Sequence, residues 1–224
     1  MRILITLLFG VLLILTGVTV FAQDIVVGGK LGIAATFLSS SGWDDVISEN
    51  EESPGISANN LIAAGFSVGA FAIIDITPTI AFQPELLYSR RTGGIRYEAD
   101  DSDEETTLRL VQHSIDFPLL VNAGLATGFG RVYGLLGPEL SIVLGDVQKK
   151  TDNAVSYSSS LETDNSLIFA ANIGAGAAFD LDDFSILAEL RYNRAFTSAF
   201  NDDEEFRSPV YNGIGAFIGA AIPL

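Results

Sequence analysis

The stretch Thr79-Ile-Ala-Phe-Gln-Pro-Glu-Leu-Leu-Tyr-Ser-Arg-Arg91 alternates apolar with polar side chains, and this alternation decides the fold class. A period of two is the pattern of a β-strand whose two faces meet different surroundings. The apolar positions are Ile80, Phe82, Leu86 and Tyr88, and the polar positions are Gln83, Glu85, Ser89 and Arg91. The stretch therefore predicts a β-strand with one apolar and one polar face.

The same alternation recurs along the chain and predicts eight strands. The segments are rich in Gly, Ala and β-branched or aromatic residues, and acidic stretches separate several of them. The predicted strands cover residues 24–37, 61–75, 79–91, 108–122, 131–145, 167–179, 184–193 and 213–224. An even number of antiparallel strands is typical of barrels in the bacterial outer membrane.

The connections between these strands alternate in length. Short connections are expected at residues 75–78, 125–130 and 180–183, and long polar ones at 38–60, 93–107, 146–165 and 198–208. Short turns at one rim and long loops at the other are the signature of an outer-membrane barrel. The sequence thus predicts an all-β, antiparallel up-and-down transmembrane barrel, with short turns toward the periplasm and long loops outside.

The N-terminus resembles an export signal. Met1-Arg2 precedes an almost wholly apolar run, Ile3–Val20, and Val20-Phe-Ala22 has the small residues of a cleavage site. We expect a secretory signal peptide at residues 1–22 and a barrel domain at 23–224, with a retained membrane anchor as the competing interpretation. No later apolar run reaches the roughly 18–20 residues of a transmembrane helix, so a membrane-embedded mature chain must be a barrel.

The charge balance excludes several function classes. The formal net charge is −16, from 28 acidic and 12 basic residues, and this argues against nucleic acid as a partner. The acidic residues concentrate in the expected loops, for example at Asp100–Glu105 and Asp202–Glu205. The chain has no cysteine, which excludes a lipoprotein, disulfides and thiolate metal sites.

The polar faces of the predicted strands carry charged residues among glycines. These residues are Lys30, Glu85, Arg91, Asp116, Glu139, Glu189 and Arg191. In a membrane barrel they share the lumen, and side chains fill the interior at about eight strands. Because unpaired charge in such an interior is costly, we expect an ion-pair network that plugs the lumen, rather than a selectivity filter or gate. A soluble lipocalin-like barrel would place the same two faces the other way round.

Four segments resemble those of a known family. They are Phe82-Gln-Pro-Glu-Leu-Leu-Tyr-Ser89, Ile115-Asp-Phe-Pro-Leu-Leu120, Tyr133-Gly-Leu-Leu-Gly-Pro-Glu-Leu140 and Ala188-Glu-Leu-Arg-Tyr-Asn193. In this order they are similar to strands of the PorT-like, "porin family" outer-membrane barrels of Bacteroidetes type. The resemblance covers nearly the whole mature chain. It implies a fold and a location much more than an activity.

Candidate chemistry is sparse. His113 is the only histidine, and its neighbour Ser114 must point to the opposite face of a strand, so a Ser–His catalytic pair is not expected. Weak candidates for a Ca²⁺ site lie in one acidic loop, at Asp100, Asp101, Asp103 and Glu104. Acidic runs of this kind are more often solvated loops, so the sequence predicts no catalytic residues, no metal site and no cofactor.

The sequence therefore predicts a non-enzymatic outer-membrane barrel with a plugged lumen, whose acidic loops serve a structural or surface-interaction role. The expected partners are outer-membrane lipid, the barrel-insertion machinery, and an extracellular ligand or divalent cation. A small pore for ions or solutes and a soluble ligand-binding barrel are the alternatives.

Overall fold

The regular structure of the described residues consists of β-strands. The computed structural model describes residues 25–39, 56–99, 105–152, 157–161, 166–199 and 209–224. Within them no helix has the length and apolar character needed to cross a membrane. The strands are β1 (Ile25–Ser39), β2 (Ile56–Thr77), β3 (Ile80–Ala99), β4 (Glu105–Thr127), β5 (Gly130–Val143), β6 (Val147–Asp152), β7 (Tyr157–Leu161), β8 (Leu167–Asp180), β9 (Ser185–Ala195) and β10 (Val210–Pro223).

Eight of these strands close into a ring. Hydrogen-bonded neighbours follow the order β3-β2-β1-β10-β9-β8-β5-β4, and β3 also pairs with β4. The ring pairings are all antiparallel. Closure removes the unpaired strand edges that an open sheet would expose. The prediction of an all-β, eight-stranded antiparallel up-and-down barrel is confirmed.

A small hairpin corrects the loop prediction. The connection predicted at 146–165 contains β6 and β7, which pair with each other, and β6 extends the ladder of β4. Strands β2, β3 and β4 also run further than predicted toward the long connections. A strand that has water on both sides keeps its backbone ladder but needs no apolar face, so alternation does not reveal it.

The two rims of the barrel differ as predicted. One rim carries the short turns after β2, β4 and β8, together with the start of β1 and the end of β10. We call this rim the turn side. At this rim Gly130 has a φ of 141°, in the left-handed region that favours glycine. The other rim, the loop side, carries the long connections after β1, β3, β5 and β9.

The apolar faces point outward and the polar faces point inward. Leu31, Ile33 and Ile62 are 57%, 69% and 67% exposed, whereas the inward Lys30, Glu85 and Glu189 are buried. Outward apolar side chains follow every strand of the ring, for example Leu86, Leu119, Leu136, Ile173, Leu190 and Ile218. A soluble lipocalin-like barrel requires the reverse arrangement, so that alternative is wrong.

Apolar side chains close both ends of the lumen. On the loop side a buried cluster includes Leu38, Ile95, Leu110, Val143, Ile168 and Tyr211. On the turn side Phe71 packs with Leu187 and Ala221, and Leu120 packs with Tyr133 and Leu135. The charged side chains of the lumen occupy strand positions between these two apolar ends. The sequence prediction placed charge and glycine inside but missed these apolar ends.

Candidate functional site

The structure brings the seven predicted lumen residues together in two groups. Side-chain exposure is 14% for Arg91 and between 0% and 4% for the other six. We call Lys30, Glu85, Glu189 and Arg191 the turn-side cluster, and Arg91, Asp116 and Glu139 the loop-side cluster. Each group joins strands that are distant in the sequence, and so each depends on closure of the ring.

The turn-side cluster is a network of two cations and two carboxylates. The Lys30 Nζ lies 2.7 Å from both Glu85 Oε1 and Glu189 Oε2. The Arg191 guanidinium donates to both oxygens of Glu85, at 2.8 and 2.7 Å, and also contacts Glu189. Paired N–H groups on one carboxylate are the strongest form of this interaction, and they fix the planes of both groups. The formal charges within the cluster cancel.

Neutral side chains complete the hydrogen bonding of the turn-side cluster. Gln83 Nε2 donates to Glu85 and Glu189, and Tyr133 Oη donates to Glu189 Oε1 at 2.8 Å. Aromatic rings cover the cations: Lys30 Nζ lies 4.6 Å from the Phe71 ring centre, and the Arg191 guanidinium carbon lies 4.8 Å from that of Phe217. Such contacts favour a cation removed from water.

Two glycines leave room for this arrangement. A Cβ at Gly32 would lie 2.4 Å from the Phe217 ring, and one at Gly176 would lie 2.7 Å from the Tyr133 ring. The sequence predicted glycines on the polar, inward faces but did not indicate Phe71 and Phe217 as parts of the network. Phe217 was accessible from the sequence, because it alternates with the outward Ile214 and Ile218.

The loop-side cluster has one cation for two carboxylates. Arg91 donates to Asp116 Oδ1 and Oδ2 at 3.2 and 2.9 Å, and to Glu139 Oε1 at 2.9 Å. Asn172 Nδ2 donates to Glu139 Oε2 at 2.9 Å, and Asn193 Nδ2 donates to Asn172 Oδ1 at 3.3 Å. This cluster carries one negative charge in excess and continues into a short chain of amides.

A small cavity adjoins the loop-side cluster. Its volume is about 50 Å³, and its lining includes Arg91, Asp116, Glu139, Asn172 and Asn212. A water molecule needs roughly 10–15 Å³ measured in this way, so the space accommodates a few waters. It is far smaller than the water-filled channel of a many-stranded porin.

Comparison with known proteins fixes the family. Residues 21–201 match the family model described as outer membrane protein beta-barrel domain. The chain belongs to this family of outer-membrane β-barrels. Its location is accordingly the bacterial outer membrane, as the sequence predicts. No curated protein matches the sequence significantly.

The solved structures to which the chain is similar include outer-membrane barrels. The attachment invasion locus protein Ail of Yersinia pestis is 12% identical, with a TM-score of 0.37, over 90% of this chain and 100% of that chain. Neisserial surface protein A is 16% identical, with a TM-score of 0.38, over 88% and 96%. OprG of Pseudomonas aeruginosa is 10% identical, with a TM-score of 0.40, over 91% and 97%.

The outer-membrane barrel separates its single histidine from the neighbouring serine. Ser114 is fully buried in the lumen and accepts a hydrogen bond from Arg91 Nη1 at 2.7 Å. His113 lies on the outer face, where its Nδ1 is 2.6 Å from the Tyr88 hydroxyl. The predicted separation of the two side chains is therefore observed, and these two residues do not form a nucleophile–base pair.

The weak Ca²⁺ candidates Asp100, Asp101, Asp103 and Glu104 lie outside the described residues. Within the described ranges, no three His, Cys, Asp or Glu side chains are grouped so as to hold a metal ion. The signal peptide predicted at 1–22 also falls outside these ranges. The weak Ca²⁺ candidates and the signal peptide therefore stay predictions.

Proposed function

We propose that the lumen of this outer-membrane barrel is closed and does not conduct ions. Its proposed role is structural or one of surface interaction. The observation that carries the proposal is the ion pairing across the lumen, which occurs at two levels. Lys30 and Arg191 bridge carboxylates from β3 and β9, and Arg91 bridges carboxylates from β4 and β5. Breaking such buried pairs leaves uncompensated charge in a low-dielectric interior, so the network resists opening.

The apolar ends of the lumen support the same proposal. An ion that crosses the barrel must pass Leu38, Ile95 and Leu110 on the loop side and Phe71 and Leu187 on the turn side. Each of these side chains is at most 4% exposed. Apolar constrictions hinder the passage of ions because they offer no replacement for hydration.

The interaction surface in this proposal consists of the long acidic connections. Runs such as Glu51–Glu52, Asp100–Glu105 and Asp202–Glu205 concentrate negative charge in the connections of one rim. Loops on a rigid scaffold are where recognition usually resides. The partners that suit this charge are an extracellular cationic ligand or a divalent cation. The proposed partners also include outer-membrane lipid and the barrel-insertion machinery.

The proposal also includes the finer family type and the absence of catalysis. The four segments that resemble PorT-like barrels of Bacteroidetes type fall in β3, β4, β5 and β9. They contain Glu85, Asp116, Glu139, Glu189 and Arg191, so the segments of resemblance supply most of the lumen network. The opposite orientations of His113 and Ser114 support a non-enzymatic barrel.

Planar-bilayer recording tests the closed lumen. The purified chain, folded in detergent and inserted into a lipid bilayer, is expected to give no stable single-channel steps. A many-stranded porin recorded under the same conditions shows that the assay detects an open, water-filled lumen. Reproducible conductance steps from the unmodified chain would overturn the proposal in favour of a small pore.

A further inference from the structure

Three prolines lie inside neighbouring strands of the ring. Pro84 is in β3, Pro118 in β4 and Pro138 in β5, and we call them the proline belt. Proline has no backbone N–H, so it removes one bond from a β-ladder and is normally confined to edge strands or bulges. A closed ring has no edge strand. Local rules of this kind are most often broken where a protein functions or moves.

Each proline coincides with an interruption of one ladder. Three consecutive pairings lapse for two residue pairs without a change of register: β2–β3 at Pro84, β3–β4 at Pro118 and β4–β5 at Pro138. On its other side each proline keeps its partner: Pro84 pairs with Leu119, Pro118 with Glu139 and Pro138 with Ala171. The missing N–H groups therefore account for the three interruptions.

The rest of the ring has continuous ladders. Among the described residues, pairing runs without a gap between β1 and β2, β1 and β10, β10 and β9, β9 and β8, and β8 and β5. The β2–β3 pairing has two further irregularities, where its register shifts. The wall thus has a continuous part, which contains β8, β9, β10 and β1, and an interrupted part, which runs from β2 to β5.

The proline belt lies in the lipid-facing part of the wall. Outward side chains beside it include Leu86, Leu119 and Leu136, which are 50%, 41% and 59% exposed. Hydrocarbon offers no water to replace a missing ladder bond, so the strands there depend on the bonds that remain. The interrupted part is therefore held together by fewer backbone hydrogen bonds than the continuous part at the depth of the lipid.

Bonds across the lumen tie the proline belt to the opposite wall. Glu85 directly follows the β3 proline, and its carboxylate lies 2.7–2.8 Å from donor atoms of Lys30 on β1 and Arg191 on β9. Glu139 directly follows the β5 proline and accepts a hydrogen bond from Asn172 on β8 at 2.9 Å. All three donors belong to strands of the continuous part. The lumen clusters thus act as latches on the interrupted part.

We propose that the proline belt is a local opening device of the wall. The pairings from β2 to β5 separate there transiently, while the continuous part of the ring stays closed. Such local opening is easiest where few hydrogen bonds have to break. It admits water to the lumen carboxylates, and the donors on β1, β8 and β9 draw the belt back. This inference concerns the wall and goes beyond the proposed function, since it holds whether or not the lumen conducts ions.

Amide hydrogen exchange followed by NMR, with the chain folded in detergent, tests the opening. The amides of Leu87 and Val121 lie next to the interruptions, and those of Leu190 and Ile218 lie in continuous pairings. We expect the first two to exchange at least about tenfold faster. Equal rates for the two pairs of amides would show that the belt opens only with the whole ring, which overturns the proposal.

Pro138→Ala repairs one interruption. The side chain of Pro138 is exposed on the outer face, so the substitution restores an N–H without leaving a cavity in the lumen. One restored ladder bond should slow exchange at Val121 roughly three- to tenfold and leave Leu190 and Ile218 unchanged. Unchanged exchange at Val121, or equal slowing at all these amides, overturns the proposal.

Pro78→Ala is the matched control for this repair. Pro78 lies in the exposed turn between β2 and β3 and occupies no ladder position. The substitution loosens the unfolded chain as Pro138→Ala does, but it restores no bond in the wall. It should leave exchange at Val121 as in the unmodified chain. Slowing at Val121 equal to that of Pro138→Ala would also overturn the proposal.

Discussion

The two charged clusters of the lumen use different means to tolerate burial. The turn-side cluster matches two cations with two carboxylates and lies beneath aromatic rings. The loop-side cluster has a single cation, Arg91, for two carboxylates, and it borders a cavity and a chain of amides. The first achieves neutrality through its own charges, whereas the second relies on dipoles and space for water.

This difference determines how easily each cluster adapts. Glu85 receives hydrogen bonds from Lys30 and Arg191, which can only donate. Glu139 receives one from Asn172, whose amide can reverse to become an acceptor. Equivalent substitutions at the two sites should therefore have unequal effects on stability.

The largest decrease in the free energy of unfolding is expected from Arg91→Met. It removes the only cation that contacts Asp116 and Glu139 in the described network and leaves two buried carboxylates together. Removing one partner of a buried ion pair costs about 3–5 kcal/mol of the free energy of unfolding. Urea titration with gel migration as the measure of the folded fraction tests this. Arg90→Met is the control, because Arg90 is the adjacent arginine on the outer face, and it should change the free energy much less.

Glu85→Gln should decrease the free energy of unfolding by an intermediate amount. The new amide must direct its NH₂ group at Lys30 or Arg191, and the cluster gains an unbalanced positive charge. We expect a loss of about 2–3 kcal/mol, in the range for a buried group left with a wrong partner. The same titration measures it, with the exposed Glu98→Gln on β3 as control. A loss no larger than that of the control would show that charge balance does not hold the turn-side cluster together.

The smallest change in the free energy of unfolding is expected from Glu139→Gln. This substitution removes the surplus negative charge, and reversal of the Asn172 and Asn193 amides restores an acceptor for the new NH₂ group. We expect the free energy of unfolding to change by less than about 1 kcal/mol. If Glu139→Gln destabilises the barrel as much as Glu85→Gln, the proposed contrast between the two clusters is wrong.

Most of the fold was accessible from the sequence. Alternation in segments such as Thr79–Arg91 follows from lipid on one side of the wall and a filled lumen on the other. The β6–β7 hairpin was missed because strands beyond the lipid have no apolar face to mark them. The apolar loop-side end of the lumen, with Leu38 and Leu110, was missed because apolar side chains were assigned to the outer face alone.

The sequence by itself determined that the charged and the outward apolar side chains of a strand lie on opposite faces, since the face of a residue follows from its parity along the strand. It placed the seven charged residues on the face opposite the outward apolar side chains. Only the tertiary structure decided the partners: Lys30 meets Glu189 and Arg91 meets Glu139 because ring closure and strand register set the neighbours. Parity is a local property of the chain, whereas register across a closed ring depends on the pairing of all eight strands.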